Sequence, residues 1–296
     1  MRKSILKKIS EGEISVEEGE QLLDEIRLKE ISNYKEEMAR AGYSSITPNQ
    51  LLKMKRHDIT VEYIEELREV GYDNLSPNAL VRLKLGNITA EYIASVVDLF
   101  EQPISVTNLV LFVKLKIKTD FIKKVRSLGY PHVSPSKIAR LVTLGITTTY
   151  IEKMNELFNN TLPLNQIINS KLQNTTEKFI EELADIGYDN LTINRVVDFR
   201  THGINVEFIE GFTKIGFENI PLNTLIDLAI HRVTPEFITK MESVFDEELD
   251  LRTCIDLRIH GVNEEFIQRL REKGVKTLTA QKAINAKIHG FLKFFE

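Results

Sequence analysis

The chain has 296 residues, of which 42% are hydrophobic and 28% are charged, and its formal charge is −4 at pH 7. These proportions are typical of a chain that folds around a real core, and they exclude a disordered or low-complexity protein. The slight acidic excess argues against a protein that neutralises phosphates over its whole surface, although a local basic stripe is compatible with it. The single cysteine, Cys254, excludes an internal disulfide framework and a Cys-rich zinc module.

The first residues carry charges without an apolar run after them, and the longest purely apolar run that we find is 109–113. We therefore expect no signal peptide, no membrane span and a cytoplasmic location.

Residues 1–29 are predicted to form a short two-helix hairpin. Ile5, Leu6 and Ile9 make one apolar stripe, and Ser15 followed by Glu18 is a capping box that starts a second helix. The pattern from Ile5 to the second helix resembles the SHOCT-like hairpin found at the front of bacterial envelope-stress proteins of the YvlB and LiaX type. That resemblance implies an accessory interaction module in a bacterial cytoplasmic or signalling setting. We expect the hairpin to cap the rest of the chain or to mediate self-association.

The sequence of residues 30–290 repeats with a period of 29 residues. The nine units begin at Glu30, Ile59, Ile88, Ile117, Ile146, Thr175, Ile204, Val233 and Val262. In each unit an aromatic at position 5 and the apolar residues that follow it predict a helix A. Thr or Asn at position 2 is expected to cap this helix, and Gly at position 13 ends it in six units.

A second cap at position 18 starts a helix B, which ends near a glycine in four units: Gly145, Gly203, Gly261 and Gly290. One such pair of helices cannot enclose its own apolar face, so the units must stack. The predicted fold is all-α, an α-solenoid of nine 29-residue helix-turn-helix repeats preceded by a short helical hairpin.

Three units have phenylalanine in place of the position-13 glycine: Phe100, Phe158 and Phe245. Their helices A either end differently, slightly longer than the others, or the replacements are ordinary drift among repeats. The last residues, 291–296, are predicted to be an apolar capping tail for the last unit, with an exposed docking peptide as the alternative.

The repeats, in forms such as 257–262 followed by Glu265, Phe266 and Leu270, look like helical repeats that accompany some bacterial BlaR-type sensor proteins. The HExxH zinc-protease signature of those sensors does not occur in this sequence. The resemblance therefore implies an accessory interaction module and no protease chemistry.

Histidine recurs at position 28 in five units: His57, His202, His231, His260 and His289. Aspartates four residues earlier, as in Asp198 and His202, share a helix face with three of them, which suits an ion pair or two metal ligands. Capping of the helix C-terminus is the simpler explanation. Equivalent positions in stacked units are about 9–10 Å apart, too far for two imidazoles to share one ion, so we expect no metal and no cofactor.

Six units carry Lys or Arg at position 26: Lys55, Lys84, Lys171, Arg200, Arg258 and Lys287. Together with Lys53, Arg82 and Arg140 they predict a positive line that can follow a phosphate backbone. Against this, helix A is acidic, and cations in the last turn of a helix need no ligand to explain them.

Tyrosine follows the helix-ending glycine in four units, at Tyr43, Tyr72, Tyr130 and Tyr188. These side chains are expected to expose their hydroxyls along one edge as part of a partner surface. The position-5 aromatics, by contrast, have the spacing of core residues.

The sequence contains no GxSxG and no glycine-rich phosphate loop, and Cys254 stands at an apolar position of helix B, so we expect no enzyme. The leading hypothesis is a bacterial scaffold or adaptor that binds a protein or peptide along the solenoid. The alternative is a nucleic-acid-binding array that uses the Lys/Arg/His edge. The predicted binding residues are Tyr43, Tyr72, Tyr130, Tyr188, Lys84, Arg200, Arg258, His202, His231, His260 and His289.

Overall fold

The computed structural model describes residues 2–245, 247–275 and 277–290. These residues form nineteen helices, with no strand among them. They belong to two compact units, 1–148 and 149–296, in each of which helix pairs pack in series. The predicted all-α repeat fold is confirmed.

Two helices precede the regular pairs, α1 (Arg2–Ser10) and α2 (Val16–Arg40). The helices A from the second repeat onward are α4 (Val61–Glu69), α6 (Ala90–Val97), α8 (Thr119–Ser127), α10 (Thr148–Leu157), α12 (Glu177–Asp185), α14 (Val206–Thr213), α16 (Pro235–Phe245) and α18 (Glu264–Glu272). The helices B of the nine repeats are α3 (Pro48–Arg56), α5 (Pro77–Leu85), α7 (Val106–Lys114), α9 (Pro135–Thr143), α11 (Leu164–Leu172), α13 (Ile193–Thr201), α15 (Leu222–Ile230), α17 (Leu251–Ile259) and α19 (Ala280–Ile288).

Helix α2 crosses the boundary that the sequence places after residue 29. The predicted capping box is present, because the Glu18 N–H donates to the Ser15 hydroxyl and the Ser15 N–H donates to the Glu18 carboxylate. Neither Gly nor Pro stands between Gly19 and Gly42, so nothing interrupts the helix. The hairpin and the first repeat therefore share one 25-residue helix, whose C-terminal part serves as the first helix A.

The predicted N-caps are formed by side chains at two positions of the repeat. At position 2 the side chain accepts the N–H of the position-5 aromatic in six repeats, at Thr60, Thr89, Thr176, Asn205, Thr234 and Asn263. At position 18 the side chain accepts the N–H of the residue three places later at Thr47, Ser76, Ser105, Ser134, Thr192, Asp250 and Thr279. Each bond satisfies an N–H that the helix itself cannot pair.

The end of helix B has the same backbone turn in all nine repeats. The residue at position 29 has a φ between 50° and 72° whether or not it is glycine: Asp58, Asn87, Lys116, Gly145, Asn174, Gly203, Arg232, Gly261 and Gly290. The next N–H donates to the carbonyl of position 25 in the eight junctions between repeats, at 2.8–3.1 Å. This is the Schellman arrangement, and it places a buried position-1 side chain at each junction.

Helices B of successive repeats pack on one another, as α3, α5, α7 and α9 do in residues 1–148 and as α15, α17 and α19 do in residues 149–296. The core between helices A and B is apolar; in the second unit it includes Phe199, Phe212 and Leu228, each with no exposed surface. The position-5 aromatics are buried or half-buried, as predicted.

Two of the three repeats with phenylalanine at position 13 have a longer helix A. Helices α10 and α16 have 10 and 11 residues, whereas the other helices A after α2 have eight or nine. In both, the side chain at position 10 accepts a backbone N–H of the following turn: Asn155 from Leu162 at 2.9 Å and Glu242 from Leu249 at 3.2 Å. Helix α6, which precedes Phe100, has eight residues and is not longer.

The apolar tail predicted at 291–296 lies outside the described residues.

Candidate interaction surface

The six basic side chains at position 26 lie over the position-5 aromatic rings of their own repeats. The distances to the ring centroids are 3.8–5.5 Å, for the pairs Lys55 on Tyr34, Lys84 on Tyr63, Lys171 on Tyr150, Arg200 on Phe179, Arg258 on Phe237 and Lys287 on Phe266. A cation over an aromatic face is attracted by the quadrupole of the ring. These six side chains of the predicted positive line thus hold helix A against helix B. Two others, Lys53 and Arg82, donate to Asn78 and Thr107 of the next helix B, at 3.0 and 3.2 Å.

Carboxylates surround the basic side chain in the cleft that contains Arg200. Besides Phe179, this cleft is lined by Glu182, Asp185 and Glu207, on helices α12 and α14. A phosphate that approached Arg200 would meet these carboxylates, so the local field does not favour a polyanion.

The tyrosines after the helix-ending glycines are not exposed donors. The hydroxyls of Tyr43, Tyr72 and Tyr188 donate to main-chain carbonyls of the next repeat, at 2.5–2.8 Å, and the acceptors are Leu75, Ile104 and Ile220. Burial raises the pKa of each of these three phenols. The expectation of free hydroxyls is wrong for these three, because the hydroxyls tie adjacent repeats together. Tyr130 is half-buried at the equivalent place.

Tyrosines at position 5 form a second set of bonds between repeats. The hydroxyls of Tyr34 and Tyr63 donate to the carbonyls of Ile59 and Ile88, each at 2.8 Å. Burial is the main cause that raises the pKa of both phenols to about 12. These rings therefore have a structural role, with the cation on one face and the hydroxyl bonded to the next junction.

The five histidines at position 28 are C-cap residues of helices B. The Nδ1 of His202 lies 2.8 Å from the Asp198 carbonyl oxygen, so Nδ1 carries the proton and donates to the helix end. The carboxylate of Asp198 lies 3.9 Å from the Arg195 guanidinium. The contact of His202 with the helix end agrees with capping, the simpler of the two explanations that the sequence offers. Among the described residues, no three His, Cys, Asp or Glu side chains come together in a way that holds a metal ion.

An exposed aliphatic side chain directly precedes the histidine in three successive repeats. Ile230, Ile259 and Ile288 are the last residues of α15, α17 and α19, which pack in that order, and 51%, 47% and 52% of their surface is exposed. We call these three residues the isoleucine ladder. His231, His260 and His289 stand next to it in sequence. Leu85 and Leu172 occupy the same position in earlier repeats and are also exposed.

None of the three isoleucines of the ladder is among the predicted binding residues. Position 27 is aliphatic in five of nine repeats. This pattern predicts core residues, because apolar residues in a helix usually face inward. Position 27 lies at the last residue of helix B, where the chain turns away, and so its side chain points past the core. The one hint in the sequence is that position 27 also carries Arg56 and Lys114, whereas position 25 carries no charged residue in any repeat.

Cys254 is buried in α17, and burial is the largest cause that raises its thiol pKa to about 12. A thiol held in this way is a poor nucleophile. In the part of the chain that the structure describes, no helix combines the length and the hydrophobicity needed to cross a bilayer.

Comparisons of the chain with protein-family models, with curated proteins and with solved structures give no match.

Proposed function

We propose that the protein is a non-enzymatic scaffold that binds a protein or peptide partner along the ends of its helices B. The observation that carries this proposal is the isoleucine ladder, with Ile230, Ile259 and Ile288 half-exposed on three helices that pack side by side. Single exposed aliphatic residues are normal on a protein surface. Their recurrence at one position of successive repeats makes a continuous apolar line instead.

The surroundings of the ladder fit a binding surface with a polar rim. Each isoleucine has a histidine directly after it, and Asp227 and Asp256 stand one helical turn before Ile230 and Ile259. An apolar centre with polar neighbours is the usual arrangement of a protein interface. Removal of the apolar side chains from water favours binding by about 25 cal/mol per Å², from which the entropy cost of association is subtracted.

The spacing of the ladder defines the partner that fits it. Adjacent packed helices lie about 8–10 Å apart. A polyproline-type segment returns to the same face every three residues, a rise of about 9.3 Å. A helix returns every seven residues, about 10.5 Å. The partner is therefore a segment with apolar side chains repeated at one of these spacings.

The setting and the N-terminal role rest on the sequence. The resemblance of residues 1–29 to SHOCT-like hairpins supports a place in a bacterial cytoplasmic signalling or stress system. Self-association through this hairpin is supported by three of its leucines, Leu6, Leu22 and Leu28, which are exposed on α1 and α2.

A selection from a random peptide library tests the proposal without knowledge of the natural partner. The full chain is immobilised, and bound peptides are sequenced after washes at low and at high salt. We expect peptides with aliphatic or aromatic residues three or seven places apart, retained at high salt, because apolar contacts are not screened.

Two matched variants make the selection specific. Ile230→Asp with Ile259→Asp and Ile288→Asp alters the ladder, and Lys84→Gln with Lys171→Gln alters the basic position. Loss of the selected peptides in the first variant alone supports the proposal. Selection of acidic peptides that high salt removes, or recovery of nucleic acid by the same column, contradicts it and favours the phosphate-binding alternative.

A further inference from the structure

The junction between repeats 5 and 6 differs from the others in the side chains that it buries. Seven of the eight junctions pair an apolar residue at position 25 with an isoleucine or valine at position 1 of the next repeat. At this junction the pair is Ser170 and Thr175, with 0% and 2% of their surface exposed. They are the only Ser, Thr, Asn, Gln or charged residues that are buried in the part of the chain that the structure describes.

The side-chain hydroxyl of Thr175 is unsatisfied at this junction. Its Oγ1 is buried and makes no hydrogen bond to any described residue. A buried hydroxyl without a partner keeps the full cost of its removal from water. The isoleucine or valine of the other junctions has no such cost and contributes apolar burial in its place.

The hydroxyls of Tyr150 and Ser170 form a network that cannot be fully satisfied. The two oxygens lie 2.9 Å apart. The Tyr150 oxygen also lies 3.1 Å from the Thr175 carbonyl oxygen. The Ser170 oxygen lies 2.8 Å from the Ile167 carbonyl oxygen. Each hydroxyl has one proton to donate, so two protons serve three contacts and one contact always lacks a hydrogen bond.

We propose that the junction between repeats 5 and 6 is a hinge, which opens before the other junctions of the second unit. The stability of a repeat array is the sum of its repeats and of the interfaces between neighbours. Apolar pairs close the three following junctions: Phe199 with Ile204, Leu228 with Val233, and Leu257 with Val262. Repeats 6–9, which carry the isoleucine ladder, therefore open from repeat 5 together. This property of the fold does not depend on the proposed binding function.

Amide hydrogen exchange in the full chain tests the hinge, because each junction carries the same reporter. The position-1 N–H donates to the position-25 carbonyl at 2.8 Å at Thr175, Ile204, Val233 and Val262 alike. A difference in protection among these amides therefore reports opening of the junction rather than the length of the bond. We expect the protection factor of Thr175 to be at least about tenfold lower than those of Ile204 and Val233. Equal protection would overturn the proposal.

Two variants show whether the buried hydroxyl causes the opening. Thr175→Val supplies the residue type of the other junctions with almost the same shape, so we expect it to raise the protection of residue 175 several-fold. Val233→Thr is the matched control, and we expect it to lower the protection of residue 233 by a similar factor. Circular dichroism checks that both variants keep their helices. Protection at residue 175 that Thr175→Val leaves unchanged would contradict the proposal.

Discussion

Individual side chains in this protein act chiefly across the two helices of a repeat or across the junction to the next. Lys84 illustrates this, because its ammonium lies 4.5 Å from the centroid of the Tyr63 ring. A surface cation–π contact contributes about 0.5–1 kcal/mol. We expect Lys84→Gln to lower the free energy of unfolding by about this amount, measured by urea denaturation.

The matched control for Lys84 is Lys114, which also stands in the last turn of a helix B. Both substitutions remove the interaction of a cation with the helix dipole. A loss of stability in Lys114→Gln as large as in Lys84→Gln would show that the ring contributes nothing.

The left-handed turn at position 29 gives a second test at this scale. Arg232 has a φ of 55°, a conformation that is unfavourable for residues with a Cβ by roughly 1–2 kcal/mol. We expect Arg232→Gly to raise the midpoint of urea denaturation, with a gain of up to about 1 kcal/mol after the added chain entropy of glycine is subtracted. Gly203→Ala, at the same position, should lower it. Equal effects of the two variants would show that the left-handed backbone at position 29 does not limit stability.

The residues whose role is local could be predicted from the sequence. All seven position-18 caps bond as expected, because a cap and its N–H are three residues apart. The partners of Tyr43 and Lys84 were not predicted, since the first lies 32 residues ahead and the second 21 residues behind. The period showed that these residues recur, but it did not show what they touch.

At the scale of the helix, the N-cap bonds decide where helices A begin. The Thr60 hydroxyl accepts the Tyr63 N–H at 3.2 Å, whereas Lys118, the N-cap of α8, makes no side-chain cap bond. We expect Thr60→Ala to lower the free energy of unfolding by about 1 kcal/mol. Lys118→Ala, measured in the same denaturation experiment, should leave it within about 0.5 kcal/mol. Similar losses in both variants would contradict the role of the threonine.

Helix boundaries follow from sequence where a glycine or proline marks them. The prediction of a boundary fails where neither residue is present, as in α2. The sequence pattern changes from hairpin to repeat after residue 29. Helix α2 continues through this point because neither glycine nor proline interrupts it. A longer helix A was one of two interpretations of the repeats with phenylalanine at position 13, and it holds for α10 and α16. The side chains of Asn155 and Glu242 accept N–H groups of the following turn, seven residues ahead, and these contacts were not predicted.

For the molecule as a whole, the buried tyrosines predict the behaviour at high pH. The folded-state pKa of Tyr34 and Tyr63 is raised to about 12 from the ordinary value of 10.0. Their contribution to stability is therefore complete below pH 10 and is lost as the pH rises to about 12, because the unfolded chain ionises first. Urea denaturation from pH 9 to about 12 should show this fall, and Tyr63→Phe should make it smaller. A fall that is unchanged in Tyr63→Phe would contradict this origin.

The single cysteine reports whether the core around α17 is closed. Cys254 has no exposed surface and a thiol pKa raised to about 12. We expect a thiol reagent to label it at neutral pH only as fast as the surrounding repeats open. Labelling of the native protein at the rate of the urea-unfolded chain would show that the cysteine is accessible.

The period, the two helices of each repeat and the caps could be read from the sequence, while the candidate surface could not. An exposed Ile230 and a buried Leu228 are both aliphatic, and only their place relative to the end of helix B separates them. Two of the eleven predicted binding residues, Tyr43 and Arg200, illustrate the difficulty, because both are occupied by contacts within the fold. In a repeat protein, recurrence marks structural and binding residues alike.

Binding of a partner by the isoleucine ladder is tested by comparing what matched variants capture. The wild-type chain, the ladder variant with Ile230→Asp, Ile259→Asp and Ile288→Asp, and the basic variant with Lys84→Gln and Lys171→Gln are each used to capture proteins from bacterial lysate. The captures are made with nuclease present, at low and at high salt.

We expect a protein that the wild-type chain and the basic variant bind at both salt concentrations and that the ladder variant does not bind. Equal recovery of that protein by the ladder variant, or its loss only in the basic variant, would show that the isoleucine ladder is not the binding surface.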